Sequence, residues 1–274
     1  KLTLWYSHTG LEYPEVTQHV KDFAEWLKEK YKIEVDLIID YPKDKNGKRI
    51  TFKDVIEKYG YPMISKEVSR DVAVARNNPD GKTAQKFVRG SDYHKKYGDT
   101  WLLERWAYLI DAPFKISNQC CNIMKKQPAH KFNKESGMIP IIGTMACESV
   151  LRKKEWLRAG CNAFDNKNPN SKPLSFWTEQ DILRYLKEFE IPYPSVYGEI
   201  LIDDKGQYYT TGCDRTGCVF CGYGCHLKND KRFERLEQTH PTLHDYCMKP
   251  WDEGGLGMKE VLEYIENGKD LSIK

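Results

Sequence analysis

The start of the chain alternates between apolar runs and one amphipathic segment. Residues 2–6 are apolar and β-prone and lead into Ser-His-Thr-Gly, so they predict a strand that ends in a tight loop. Residues 15–31 place apolar side chains at steps of three and four, which predicts a helix with one buried face. Residues 33–39 predict a second strand. This order predicts an α/β fold, with a parallel sheet and helices on both of its faces.

Three later segments also predict helices. They cover residues 66–76, 99–110 and 179–189, and the third follows Thr178, whose side-chain oxygen suits a helix N-cap. Residues 138–142 are a short apolar run that ends at a glycine, and they predict a strand.

The best internal boundary follows residue 161. Residues 162–172 are rich in Asn, Pro, Lys and Ser, which is typical of a surface loop. We therefore expect an α/β core over residues 1–161 and a cysteine-rich C-terminal part over residues 162–274. We expect the two parts to pack together as one domain.

The composition is that of an ordinary globular protein. Its 274 residues can bury a large core, and 43 Lys and Arg against 40 Asp and Glu leave a net charge of only +3. No overall basic field therefore points to nucleic acid or to an anionic membrane. Apolar stretches stay well short of the roughly 20 residues that span a bilayer, and the N-terminus lacks a signal-peptide pattern. We expect a cytoplasmic protein without a membrane partner.

The cysteines carry the strongest indication of chemistry. There are nine, and four of them fall within thirteen residues, far downstream of an adjacent pair. In a reducing compartment, clustered cysteines more often ligate metal or do redox chemistry than form disulfides. C-x4-C-x2-C with a distant fourth cysteine is an iron-sulfur ligand spacing, and four thiolates can also hold zinc. The run is Cys213, Cys218, Cys221 and Cys225, and the pair is Cys120 and Cys121.

Five segments between about residues 2 and 243 form an ordered set of motifs. They are Ser-His-Thr-Gly-Leu-Glu-Tyr-Pro-Glu at 7–15, Tyr-Gly-Tyr-Pro-Met-Ile-Ser-Lys at 59–66, Gly-Thr-Met-Ala-Cys-Glu-Ser at 143–149 with Arg152, Phe-Trp-Thr-Glu-Gln-Asp at 176–181, and Thr-Gly-Cys-Asp-Arg-Thr-Gly-Cys-Val-Phe-Cys at 211–221. In order and spacing the set resembles the phosphoadenylyl-sulfate and adenylyl-sulfate reductase family, within the adenine nucleotide α-hydrolase-like proteins. The resemblance implies that residues 1–161 form a nucleotide-binding core.

The resemblance also implies where an adenine nucleotide binds. Thr9 and Gly10, at the end of the first strand, would approach the adenosine, because a glycine lets the backbone turn sharply beside a ligand. Gly143, Ser149 and Arg152 would lie near the phosphate or sulfate end, where a guanidinium can hold an oxyanion through two hydrogen bonds.

Family members with a 4Fe-4S cluster use a cysteine pair and a later C-x-x-C. The resemblance assigns these ligands to Cys120, Cys121, Cys218 and Cys221, and Cys213 fits as an alternative ligand. Structural zinc is the competing occupant. Either metal would relieve the repulsion between neighbouring thiolates by coordinating them. Spacing does not choose among the five cysteines.

Two features of the family do not occur in this sequence. One is the Ser-Gly-Gly-Lys-Asp-Ser loop that holds phosphate or sulfate on the first strand, so we expect the first βα unit of the fold either to be missing or to lie upstream of this sequence. The other is the near-terminal Glu-Cys-Gly-Leu-His segment, whose cysteine attacks the sulfate sulfur. Cys247 is the candidate replacement for that nucleophile, with Lys249 expected to lower its pKa. The alternative is that Cys247, like Cys147 and Cys161, is a buried or incidental thiol.

Three functions are compatible with the resemblance. The first is reduction of adenylyl sulfate or phosphoadenylyl sulfate to sulfite by an iron-sulfur enzyme, with a thiol electron donor such as thioredoxin. The second is an ATP-pyrophosphatase-type sulfurtransferase that modifies nucleic acid, through DNA phosphorothioation or RNA thiolation. The third is a non-catalytic nucleotide-sensing or scaffold subunit with structural metal. We expect a homo-oligomer or a subunit of a complex.

Overall fold

The computed structural model describes residues 1–98 and 105–271. The chain forms two compact units, and each is assembled from separate stretches of sequence. The boundary expected after residue 161 falls inside the first unit. The first unit combines Lys1–Tyr6, Glu12–Asp40 and Pro128–Thr216, and the second combines Ser7–Leu11, Tyr41–Gln127 and Gly217–Lys274.

The described strands are short and form two-stranded sheets. In chain order they are β1 Leu2–Ser7, β2 Val35–Asp40, β3 Met63–Ile64, β4 Asn162–Ala163, β5 Asn170–Ser171, β6 Ile200–Ile202, β7 Tyr208–Thr210 and β8 Gly222–Tyr223. Strand β1 pairs with β2, and β3 pairs with β8 in parallel. The pairs β4–β5 and β6–β7 are antiparallel. Parallel strands among many helices confirm the α/β class.

Helices make up most of the remaining regular structure. The longer ones are Pro14–Tyr31, Phe52–Tyr59, Lys66–Asn77, Gln127–Ser136, Val150–Ala159, Glu179–Glu188, Arg232–Thr239, Pro241–Met248 and Met258–Leu271. Shorter helical turns lie at Lys82–Gln85, Asp92–Tyr97, Ala107–Asp111, Gln119–Cys121, Asn122–Lys126, Ala146–Glu148 and Ser195–Tyr197. Across residues 1–98 and 105–271, every helix is too short or too polar to cross a membrane.

The N-terminal elements confirm the hydrophobic pattern. Strands β1 and β2 and the helix between them lie within two residues of their expected bounds. Pro14 occupies the first turn of this helix, where its missing N–H leaves no hydrogen bond unmade. Lys32 ends the helix in a left-handed conformation with φ 54°.

Two further helices are confirmed, and each begins at an N-cap, of which only Thr178 was predicted. Thr178 accepts a hydrogen bond from Asp181 N at 3.2 Å, and Asp181 accepts one in return from Thr178 N at 2.8 Å. This capping box starts helix Glu179–Glu188. Ser65 caps helix Lys66–Asn77 in a similar way through Val68 N.

Three other segments differ from expectation. Residues 138–142 are not a strand, because only Ile141 makes a single bridge, to Ser171. Residues 162–172 are not simply a loop, since β4 and β5 pair there as a hairpin. Residues 99–104 of the helix expected at 99–110 lie outside the described residues, and Ala107–Asp111 is a 3-10 helix.

The parallel pair β3–β8 lies in the core of the second unit. Met63 is opposite Gly222, and Ile64 is opposite Tyr223. Met63 is fully buried, and a Cβ on Gly222 would lie 2.2 Å from its Sδ and 2.8 Å from the carbonyl oxygen of Pro62. Only glycine therefore allows β8 to approach β3 this closely.

Gly222→Ala is expected to destabilise the protein by about 1–3 kcal/mol, because the added methyl group overlaps atoms in a packed site. Urea unfolding followed by circular dichroism measures this loss. Gly143→Ala is the matched control, since its Cβ would meet only Leu174, at 3.8 Å. Equal unfolding free energies for the two variants would contradict this account of the strand pair.

Candidate functional site

The second unit holds the two segments that carry Cys120, Cys121, Cys218 and Cys221. Cys120 and Cys121 end the short helix Gln119–Cys121, which continues into a π-helical turn at Asn122–Lys126. Cys218 and Cys221 bracket a tight turn in which Cys221 N donates to Cys218 O at 3.1 Å. Strand β8 begins directly after Cys221, so its pairing with β3 fixes the end of this turn.

The electrostatics of these thiols indicate a shared environment. Burial raises the pKa of Cys120, and the nearby thiols of Cys218, Cys121 and Cys221 raise it further. Burial also raises the pKa of Cys221 to about 11, against the lowering effect of a backbone hydrogen bond at Tyr223. The structure thus brings together Cys120, Cys121, Cys218 and Cys221, and without a cation it favours the protonated forms of Cys120 and Cys221.

The four thiols do not form a ready coordination shell for a single ion. In the part of the chain that the structure describes, no group of three His, Cys, Asp or Glu side chains is placed so that it could hold a metal ion. The metal assignment therefore stays a prediction.

Tyr223 is a neighbour of the thiols that the sequence did not single out. Burial raises the pKa of its hydroxyl, and Cys121, Cys221 and Cys120 raise it further. Its partner in β3, Ile64, is buried and adopts φ 64°, a conformation that β-branched residues rarely accept. Gly224 N donates to the carbonyl of Ile64 at 2.9 Å. Backbone strain thus lies next to the cysteine turn, as is common at functional sites.

Arg232 also stabilises the cysteine turn. Its guanidinium donates to the carbonyl oxygens of Cys221 and Tyr223, the latter at 3.1 Å. Asp230 fixes this guanidinium through an ion pair of 2.9 Å. Sequence spacing gave no signal for this role, because it depends on how the chain turns back after Gly224.

The loop Ser7–Leu11 is hydrogen-bonded to both cysteine segments. Ser7 Oγ donates to the carbonyl of Met124, three residues after Cys121, at 3.2 Å. Val219 N, between Cys218 and Cys221, donates to the carbonyl of Leu11 at 2.8 Å. The strand-end loop and the cysteines therefore form one connected arrangement within the second unit.

Thr9 and Gly10 lie at the centre of this loop. Thr9 is 3% exposed, and its hydroxyl accepts a hydrogen bond from Leu11 N at 3.2 Å, so it stabilises the turn itself. Gly10 is exposed and has φ 77°, which favours glycine. Gly10 is the more accessible of the two to a ligand, and nucleotide binding at both residues stays a prediction.

Gly143, Ser149 and Arg152 belong to the first unit. Ser149 caps helix Val150–Ala159 by accepting a hydrogen bond from Arg152 N at 3.2 Å. The Arg152 guanidinium forms an ion pair with Glu148, and Arg215 Nη2 lies 3.8 Å from the same carboxylate oxygen. The Glu148 carboxylate is thus paired with the Arg152 guanidinium, which was expected to bind phosphate or sulfate.

Cys213, the alternative ligand, also belongs to the first unit. It is 3% exposed, and its thiol lies 2.9 Å from the carbonyl oxygen of Arg215. The C-x4-C-x2-C spacing did not reveal that its first cysteine and its last two are in different units.

The pKa expected for Cys247 is wrong. The residue is fully buried, and burial raises the pKa of its thiol to about 12. Lys249, which was expected to lower it, has its ammonium group 4.0 Å from Glu253. A buried, protonated thiol is a poor nucleophile, so the structure counts against a catalytic role for Cys247.

Comparison with known proteins adds an independent indication. A family model described as the phosphoadenosine phosphosulfate reductase domain matches residues 65–222, which is more than half of the chain. The matched range includes all five candidate ligand cysteines and excludes Thr9, Gly10 and Cys247.

Curated proteins are similar over a shorter stretch. The adenosine 5'-phosphosulfate reductase of Staphylococcus haemolyticus is 27% identical over 135 residues, which are 46% of this chain and 47% of that protein. The same enzyme from Lysinibacillus sphaericus is 27% identical over 133 residues, which are 47% and 50% of the two chains. The chain thus spans about half the length of the curated relatives it matches. No solved structure matches it.

Arg232→Gln is expected to lower the free energy of unfolding by about 1–2 kcal/mol, because two carbonyl oxygens lose a charged donor. Urea unfolding measures the loss. Lys231→Gln is the matched control, since its ion pair with Glu234 is exposed and 3.8 Å long, and such pairs contribute little. An equal effect of both variants would mean that the guanidinium contacts do not stabilise the turn.

Proposed function

Because the chain belongs to the phosphoadenosine phosphosulfate reductase domain family, we propose that it reduces adenylyl sulfate or phosphoadenylyl sulfate to sulfite. The observation that carries this proposal is the connection of the Ser7–Leu11 loop to both cysteine segments through hydrogen bonds of 3.2 and 2.8 Å. A nucleotide bound at this loop would lie close to the cysteines.

The same cysteines are the proposed ligands of a 4Fe-4S cluster. Four mutually interacting thiols, Cys120, Cys121, Cys218 and Cys221, suit iron-sulfur ligation in number and in chemistry. Cluster binding would stabilise the thiolate forms, although burial raises the pKa of Cys120 and Cys221. When bound, the cluster would hold the two cysteine segments together beside the nucleotide-binding loop. Arg232 and the β3–β8 pair would keep the C-x-x-C turn in place.

In the proposed reaction, one thiolate of a dithiol donor such as thioredoxin attacks the sulfonyl sulfur of the nucleotide. A sulfur–sulfur bond forms, the bond from the sulfonyl sulfur to the bridging phosphate oxygen breaks, and AMP or its 3'-phosphorylated form leaves. The second thiol of the donor then attacks the donor sulfur that carries the sulfonate. Sulfite leaves with the electron pair of the sulfur–sulfur bond, and the donor, after supplying two electrons, becomes a disulfide.

The residues of the first unit have a more limited part in this proposal. Ser149 and Arg152 are the proposed contacts of the phosphate or sulfate group. The anion would have to compete with Glu148 for the Arg152 guanidinium. Cys247 is not proposed as the attacking thiol, because it is buried and protonated.

Cys218→Ser and Cys221→Ser are each expected to lose most bound iron, because the ligand set would be incomplete. Anaerobically purified wild-type protein should contain about four irons and four acid-labile sulfides per chain. Cys147→Ser is the control, since Cys147 is an exposed thiol of the first unit. Zinc without iron or sulfide in the wild-type protein would reject the cluster.

Wild-type protein with adenosine 5'-phosphosulfate and reduced thioredoxin is expected to release sulfite and AMP in equal amounts. Sulfite detection and chromatography of the nucleotide measure this release. Cleavage of ATP to AMP and pyrophosphate, stimulated by nucleic acid, would instead identify a sulfurtransferase. Nucleotide binding without any turnover would identify a non-catalytic subunit.

A further inference from the structure

We propose that Arg49 is the residue of the second unit that binds the phosphate group of the nucleotide. This role rests on the proposed function, because it requires an adenine nucleotide at the Ser7–Leu11 loop. Arg49 Nη2 lies 3.7 Å from the position that a Cβ on Gly10 would occupy. The guanidinium is therefore directly beside the exposed glycine of this loop.

Tyr41 positions this guanidinium. The central carbon of the Arg49 guanidinium lies 4.3 Å from the centroid of the Tyr41 ring, which is cation–π geometry. The Tyr41 ring also stacks with His8, at 5.2 Å between centroids. Through Tyr41, Arg49 is thus linked to the residue that precedes Thr9 and Gly10.

The backbone that carries Arg49 is a tight hairpin. Ile50 N donates to Pro42 O at 2.8 Å, and Lys43 and Arg49 form an antiparallel bridge. At its tip the Asp44 carboxylate accepts hydrogen bonds from the backbone N–H groups of residues 46 and 48, at 2.8 and 2.9 Å. These bonds hold the tip in an Asx-type turn. Arg49 therefore starts from a fixed backbone position, which lowers the entropic cost of binding an anion.

The charge of Arg49 is not neutralised by a carboxylate. Among residues 1–98 and 105–271, Arg49 makes no ion pair, whereas Arg152 and Arg232 are each paired with an acidic side chain. The hairpin that carries Arg49 is also basic, since four of residues 43–49 are Lys or Arg and only Asp44 is acidic. The net positive charge of this hairpin favours binding of an anion.

The chemistry of the guanidinium identifies the ligand group. Its planar donors match the oxygens of a phosphate, and Gly10 leaves room for the ligand beside the backbone. Adenosine lacks the oxyanion and would gain nothing from Arg49. The site should therefore distinguish AMP from adenosine.

The test is isothermal titration calorimetry of the full chain with AMP, with adenosine and with inorganic phosphate. Arg49→Gln is expected to weaken AMP binding roughly tenfold and to leave adenosine binding unchanged. Arg49→Lys should recover part of the loss, because it keeps the charge but not the fork of donors. Lys45→Gln, which removes the same charge from the same hairpin, is the matched control, with a change of at most about twofold. Melting temperatures confirm that each variant is folded.

Each outcome separates this role from the proposed function. Equal AMP affinity in wild type and Arg49→Gln would overturn the role of Arg49 alone. Equal losses in Arg49→Gln and Lys45→Gln would mean that general charge, and not this position, attracts the ligand. If inorganic phosphate binds as tightly as AMP and depends equally on Arg49, the ligand of this site is a free oxyanion, and the proposal of a nucleotide phosphate is overturned. Absence of AMP and adenosine binding in the wild type would reject the proposed function and this role together.

Discussion

The close approach of Gly222 to Met63 is the contact on which the rest of the site depends. Because Gly222 lacks a side chain, β8 lies against β3, and Gly224 can donate to the carbonyl of Ile64. Cys221 immediately precedes β8, so this pairing also fixes the turn back to Cys218. Two sequence segments about a hundred residues apart thereby place their thiols in one buried environment.

Burial and a bound metal centre have opposite effects on the protonation of these thiols. Desolvation and mutual repulsion favour neutral thiols at Cys120 and Cys221, while a bound metal centre would favour thiolates. The Ser7–Leu11 loop is hydrogen-bonded to both cysteine segments, so it would respond to either state. The proposed cluster and the proposed nucleotide loop are therefore connected through two hydrogen bonds, one from the Ser7 side chain and one between backbone atoms.

The sequence predicted the elements that depend on interactions between residues close together in the chain. The periodic helix at Pro14–Tyr31 and the capping box at Thr178 depend on neighbouring residues, and both were found where expected. The β4–β5 hairpin depends on contacts between residues further apart, and it was missed.

The same distinction applies to the site. Motif spacing identified the cysteines as a group but not the unit to which Cys213 belongs. Arg49 and Arg232 carry no motif. Arg232 donates hydrogen bonds to carbonyl oxygens, and the Arg49 guanidinium lies over the ring of Tyr41. These contacts exist only in the folded chain.

The central claim is that one iron-sulfur cluster sits beside a nucleotide-binding loop. Mössbauer spectroscopy of protein grown on Mössbauer-active iron, with and without AMP, tests this claim most directly. The account predicts the signal of a four-iron cluster that changes when AMP binds, because the loop is hydrogen-bonded to both ligand segments. A cluster signal that stays unchanged at saturating AMP, or iron that is entirely mononuclear, would contradict it.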